Sequence, residues 1–120
     1  MNYNNLCHVE YFVRDLDQAQ AFYQGLFGWD FRSFGDDMRV FGQQGNHIGG
    51  LTKRDTVNPG ESPSLWFQVQ DLEATMARAV ELGGQRASER SDVPGVGWSG
   101  VVADPDGNAV GLVQYADPTE

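Results

Sequence analysis

The chain has a single cysteine, Cys7, among its 120 residues. It can close no internal disulfide, so Cys7 is expected to serve as a small buried hydrophobe in a reducing compartment. Positive charge is also scarce: eight Lys and Arg stand against seventeen Asp and Glu, for a net charge of −9. An acidic domain without a basic stripe offers no footprint for a phosphate backbone, which argues against nucleic acid and anionic membrane surfaces as partners. No apolar run approaches the roughly 20 residues of a membrane span. The opening MNYNNLCHVEYFVRD has neither the charged segment nor the apolar stretch of a secretory leader. A cytoplasmic location is expected. With 40% apolar and only 21% charged residues, the composition is that of a packed domain and not of a disordered acidic tail. At this length one domain over residues 1–120 is expected, with roughly two thirds of the unfolded surface buried.

What the chain does contain is a repeat. Val13-Arg14-Asp15-Leu16, followed later by Gly28, returns as Val69-Gln70-Asp71-Leu72 and Gly84. Gly45-Asn46-His47-Ile48-Gly49 is answered by Gly107-Asn108-Ala109-Val110-Gly111, at a slightly longer offset. The second copy has therefore gained a few residues, and Ser91 to Gly97 is the natural place for them. Two units are expected, about 5–55 and 63–116, joined by the Asn-, Pro-, Gly- and Ser-rich stretch from Arg54 to Pro63.

Both copies read as strand, helix and three shorter strands. Leu6 to Val13 and Leu65 to Val69 are the first strands, each followed by an Asp suited to cap a helix. The helices are expected from about Asp15 to Phe27 and Asp71 to Leu82. Their apolar stripes are Leu16, Ala19, Phe22, Tyr23 and Phe27 in the first, and Leu72, Met76, Ala79, Val80 and Leu82 in the second. Gly28 and Gly83-Gly84 stop them. Strands follow at about 30–34, 39–42 and 47–53, then 85–90, 98–103 and 109–115. The fold class is α+β: two tandem βαβββ units forming a curved mixed sheet around a central trough, with the helices outside.

The pattern His8-Val9-Glu10 with Asp15, Phe22-Tyr23, Leu26-Phe27-Gly28-Trp29, Gly49-Gly50, Asp104-Pro105-Asp106-Gly107 and Gly111-Leu112-Val113-Gln114 resembles the vicinal oxygen chelate superfamily. That group includes glyoxalase I, bleomycin- and fosfomycin-resistance proteins and extradiol dioxygenases. The resemblance covers nearly the whole chain and implies the fold; lyases, isomerases, dioxygenases and drug-sequestering proteins share this scaffold, so it does not select an activity.

In metal-dependent members the resemblance implies four ligands, one from the first and one from the last strand of each unit. Carried onto this sequence, His8 matches the first ligand. Ser64 stands where a second His is usual, and Gly111 and Gly49, or Gly50 in a register one residue on, stand where Glu is usual. One ligand of four remains, whereas a divalent ion of this kind wants three or four protein donors. No metal and no other cofactor is therefore expected, the alternative being a rearranged site from His8, Glu10 and His47.

Strand alternation assigns the faces. Val9, Tyr11 and Val13, and likewise Leu65, Phe67 and Val69, should pack under the helices. His8, Glu10 and Phe12, with Ser64, Trp66 and Gln68, should face the trough, where aromatic and hydrogen-bonding groups make a small-molecule pocket. Phe12, Ser64, Trp66, Gln68, Trp98, Gly49 and Gly111 are the ligand-binding candidates. His8 and Glu10 are the catalytic candidates, a carboxylate orienting an imidazole for general-base work. The segment Ser91 to Gly97, beside Trp98, is either a flap or a long hairpin connection, and Asp104 to Gly107 is a structural turn.

Three functions fit this reading. The first is a metal-independent binding protein that holds a small apolar or aromatic ligand in the trough and assembles as a homodimer. The second is a glyoxalase-type lyase or isomerase acting on a carbonyl compound, and the third a non-catalytic dimerisation or regulatory module.

Overall fold

In the computed structural model, which describes residues 3–116, both halves follow the expected α+β plan. They form two compact units, Cys7–Ser64 and residues 3–6 with 65–116.

The Cys7–Ser64 unit is built from β1 (Leu6–Val13), α1 (Leu16–Phe27), β2 (Asp30–Ser33), β3 (Met38–Gln43) and β4 (Asn46–Lys53). Its strand order is β2-β3-β4-β1, with β1 parallel to β4 and the other neighbours antiparallel. The Asp15 carboxylate accepts the Gln18 amide at 3.0 Å and starts α1, a cap of the kind that stabilises by about 1 kcal/mol. Gly28, at φ 72°, ends it and gives its amide to the Gln24 carbonyl at 2.8 Å. Between β3 and β4 only Gln44 and Gly45 intervene, both at positive φ, which is the tight-hairpin solution.

The core of this unit gathers Leu16, Phe41 and Leu51, with Tyr11, Val13, Ala19, Tyr23, Trp29, Phe31 and Ile48 around them. Trp29 stacks between Phe27 and Phe41, at centroid distances of 4.5 and 4.7 Å. Arg39 reaches from β3 to α1 and donates to Asp17 at 2.7 Å and Gln20 at 2.8 Å, so β3 shows Arg39 and Phe41 to the helix. Of the expected helix stripe, Leu16, Ala19 and Tyr23 turn inward. Phe22 is 61% and Phe27 49% exposed. One residue of helix is about 100° of rotation, so Tyr23 in the core carries Phe22 out of it.

The other unit holds β5 (Ser64–Gln68), α2 (Leu72–Glu81), β6 (Gln85–Arg86), β7 (Ser91–Val93), β8 (Gly97–Ala103) and β9 (Ala109–Tyr115). Its order is β5-β9-β8-β6, and β7 also pairs with β8. Asp71 caps α2 through the Ala74 amide at 3.0 Å. Val69, Leu72, Met76, Val102 and Leu112 make the core. A Cβ at Gly100 would lie 2.7 Å from the Met76 sulfur, so the glycine is what admits that side chain.

One alternative is met here and two expectations change. The inserted residues form a hairpin, β7 pairing with β8 from Ser91↔Ser99 to Val93↔Gly97. β6 stops at Arg86, because Ala87 and Ser88 both give their amides to the Val101 carbonyl and the Ser88 hydroxyl takes the Val101 amide. Leu65, expected under a helix, is 45% exposed, as α2 packs mainly on β8, β6 and β9. The turn into β9 is held by Asp104, whose carboxylate accepts from the amides of Asp106 and Asn108 and from the Asn108 side chain. Those bonds, the Asn108 side chain foremost, hold its carboxyl below the usual range. No helix among the described residues is long and apolar enough to cross a membrane.

Candidate functional site

On β1 the alternation turns Tyr11 and Val13 to the core and His8, Glu10 and Phe12 to the face away from α1. His8 Nε2 lies 2.5 Å from Glu10 Oε1. The second carboxylate oxygen of Glu10 accepts from the Thr52 hydroxyl on β4. Glu10 is only 8% exposed, and these two partners are what make its burial tolerable.

The other nitrogen of His8, Nδ1, lies 2.7 Å from Nε2 of His47, and the two rings lie within 18° of parallel. Plain alternation along β4 would put His47 on the opposite face from Gly50 and Thr52. A bulge reverses it. Phe41 pairs with Gly49 but Gly42 pairs with His47, so β4 spends an extra residue, Ile48, and Ile48 drops into the core while His47 turns toward His8. Gly42 permits this. A Cβ there would sit 2.3 Å from the Asn46 carbonyl oxygen.

The hydrogen bonds form one chain. With the Glu10 oxygens accepting, His8 Nε2 carries a proton, and a single proton is shared between His8 Nδ1 and His47 Nε2, its side set by the tautomers of the two rings. The pKa of His47 is held below the ordinary 6.5, first by burial against its neighbours and then by the charges of His8 and Arg32, with Glu10 acting in the other direction. The chain thus ends at His47, whose imidazole is biased toward its neutral form. Beside His47 opens a cleft of about 170 Å³, lined by Asp30, Arg32, Gly42 and Asn46 and also by Phe31 and Phe41 of the core.

These groups do not fit a metal centre of the family type. His8 directs its two nitrogens apart, one at Glu10 and one at His47, so the three side chains lie in a line and share no common point. Among the described residues no group of three or more His, Cys, Asp or Glu is arranged to hold an ion.

The positions where last-strand carboxylates would stand have other tenants. Glu10 pairs with Gly50 and Trp66 with Gly111, so Gly50 is the register counterpart of Gly111. A Cβ at Gly50 would lie 2.9 Å from the Glu10 carboxylate, and one at Gly111 only 2.4 Å from the Trp66 indole. The remaining candidates are scattered. Gly49 is a close-approach glycine, its would-be Cβ 2.0 Å from the Val9 carbonyl oxygen and against the Phe41 ring. The Arg54 guanidinium covers one face of Phe12 at 4.0 Å. Ser64 is half-buried and opens β5, and Gln68 is buried, its backbone tied to Asn4 and Asn5. Trp98 packs on the α2 side of its sheet against the core and under Arg90, apart from the row that carries Trp66. Sequence reasoning did not find His47 as the end of the chain, nor Thr52 and Arg32 beside it. Gly42 inside a strand was the available signal, since such a glycine marks a bulge or a close approach.

The sequence model of the Glyoxalase/Bleomycin resistance protein/Dioxygenase superfamily matches residues 5–112. The chain belongs to this superfamily. Protein CFP32 of Mycobacterium tuberculosis, provisionally named a glyoxylase, is 33% identical over 104 residues, which are 83% of this chain. The chain spans 40% of the length of that relative. Among solved structures, the Mn(II)-bound glyoxalase of Novosphingobium aromaticivorans matches with a TM-score of 0.68 at 21% identity, over 94% of this chain and 39% of the other. An extradiol ring-cleaving dioxygenase from B. fuscum matches with a TM-score of 0.72 at 21% identity, over 97% and 34%. At such identities the likeness of this superfamily member to them is one of fold.

Proposed function

We propose that this superfamily member is a cytoplasmic, metal-independent protein that takes a small carbonyl compound on the β-face away from α1 and moves a proton there. The observation that carries the reading is the chain Glu10–His8–His47. The neutral His47 imidazole is the base. It takes a proton from a carbon next to the carbonyl: the C–H bond breaks, an N–H bond forms, and the electron pair stays with the substrate as an enolate. Returning the proton to a different atom or face completes an isomerisation. The resulting imidazolium is stabilised through His8 by the Glu10 carboxylate, so His8 and Glu10 are positioning residues and His47 touches the substrate.

The test is proton exchange. Pyruvate, hydroxyacetone and glyceraldehyde are incubated with the protein in D₂O and followed by NMR. Exchange above the buffer rate for at least one compound is expected, falling roughly 100-fold or more in His47→Gln. Rates in His47→Gln equal to the wild type for all three compounds would overturn the reading.

A second reading, capture of an apolar or aromatic ligand without chemistry, is favoured by the aromatic side chains Phe12 and Trp66 on their strand faces. It predicts a rise in thermal stability with such ligands that is unaffected by His47→Gln. Assembly as a homodimer is part of either reading.

A further inference from the structure

The face that carries His47 continues into a second chemistry. Asp30 and Arg32 stand two residues apart on β2, on the same side of the sheet as His47. Asp30, Gly42 and His47 are cross-strand partners in one row, so Asp30 and His47 are separated by two strand spacings, about 10 Å. Gly42 between them can carry no side chain, because the Asn46 carbonyl fills the place of its Cβ. The row therefore has a carboxylate at one end, an imidazole at the other and the Asn46 carbonyl between them, and Arg32 lines the same cleft.

Among the described residues no carboxylate lies within ion-pair distance of the Arg32 guanidinium, Asp30 included. This differs from Arg39 on the neighbouring strand, which is bound to Asp17 and Gln20. A guanidinium presents a planar fork of donors matched to a carboxylate. Asp30 restricts what that carboxylate can belong to. A dianion is repelled by it, whereas a ligand with a hydrogen-bond donor next to its carboxylate satisfies both groups at once.

We propose that the cleft between Asp30, Arg32 and His47 is a binding site for small monocarboxylates bearing a hydroxyl or ammonium group on the carbon adjacent to the carboxylate. The carboxylate is held by Arg32, the neighbouring donor by Asp30, and Asn46 closes the rim. The proposal rests on the reading of this face as the small-molecule site and names a class of ligand held there, separate from the carbonyl compounds used to test proton exchange.

The test is NMR titration of the protein with lactate and alanine, and with acetate, malonate and chloride for comparison, observing the His47 Cε1–H and Arg32 Nε–H signals. Saturable shifts with lactate or alanine are expected, with acetate and malonate several-fold weaker and chloride giving only an unsaturable drift. Arg32→Gln should weaken lactate about tenfold or more, and Asp30→Asn should erase the preference of lactate over acetate while leaving acetate bound. Lactate shifts that are unsaturable, equal to those from chloride, or unchanged in Arg32→Gln would overturn the proposal. Proton exchange on pyruvate, hydroxyacetone or glyceraldehyde without carboxylate binding would overturn the ligand class alone. Carboxylate binding without exchange would retain the site and remove the proton-transfer reading.

Discussion

Trp66 and Gly111 are direct partners across β5 and β9, and the indole occupies the space that any side chain at 111 would need. The same substitution of tenants occurs in the other unit, where the Glu10 carboxylate leans over Gly50. In both places a first-strand side chain fills the space opposite, and the resulting packing has its own energetic consequences.

Gly111→Ala is expected to destabilise the protein by about 1–3 kcal/mol, the usual cost of forcing atoms into a packed site. In a Trp66→Ala background the same change should cost less, because the nearest obstacle is gone, though the Leu65 carbonyl at 2.8 Å keeps it from being free. Denaturant midpoints of the four proteins of this cycle measure the coupling. Equal costs in both backgrounds would show that the indole is not what fills the space.

Gly42→Ala is expected to destabilise by a similar ~1–3 kcal/mol, since its Cβ meets backbone and not a movable side chain. It should also separate His47 from His8 by disturbing the bulge. Thermal unfolding gives the first effect, and the His47 ring signals in NMR give the second.

Acid should weaken the fold through His47. Its pKa is below 6.5 in the folded state, so between that lowered value and 6.5 the unfolded chain binds more protons than the native one. Stability therefore rises with pH across that window and is lost as pH falls through it. The melting temperature should drop as pH falls from neutral through 6.5, and the drop should be smaller in His47→Gln. An identical pH profile in the variant would contradict the assignment.

Much of the fold was legible in the sequence because it rests on local chemistry. Asp15 and Asp71 cap their helices, Gly28 ends one, and alternation along β1 separates Tyr11 from His8 and Glu10. The candidate site was legible only in its first half. His8 and Glu10 sit two apart on one strand, which alternation can place together, but His47 arrives through a bulge, and one extra residue inverts the parity on which face assignment depends. Trp98 went to the α2 side for a related reason: β8 presents positions 98, 100 and 102 to the helix, a phase that a glycine-rich strand does not reveal. The exposed positions Phe22 and Leu65 record how little of each sheet and helix one short helix can cover.

Metal binding decides the matter most directly. Calorimetric titration of the metal-stripped protein with Mn(II), Zn(II), Ni(II) and Fe(II), with elemental analysis of the protein as purified, should give no saturable one-to-one site for any of them. One equivalent per chain, bound tightly and lost in His8→Ala, would contradict the description of His8, Glu10 and His47 as a hydrogen-bonded line.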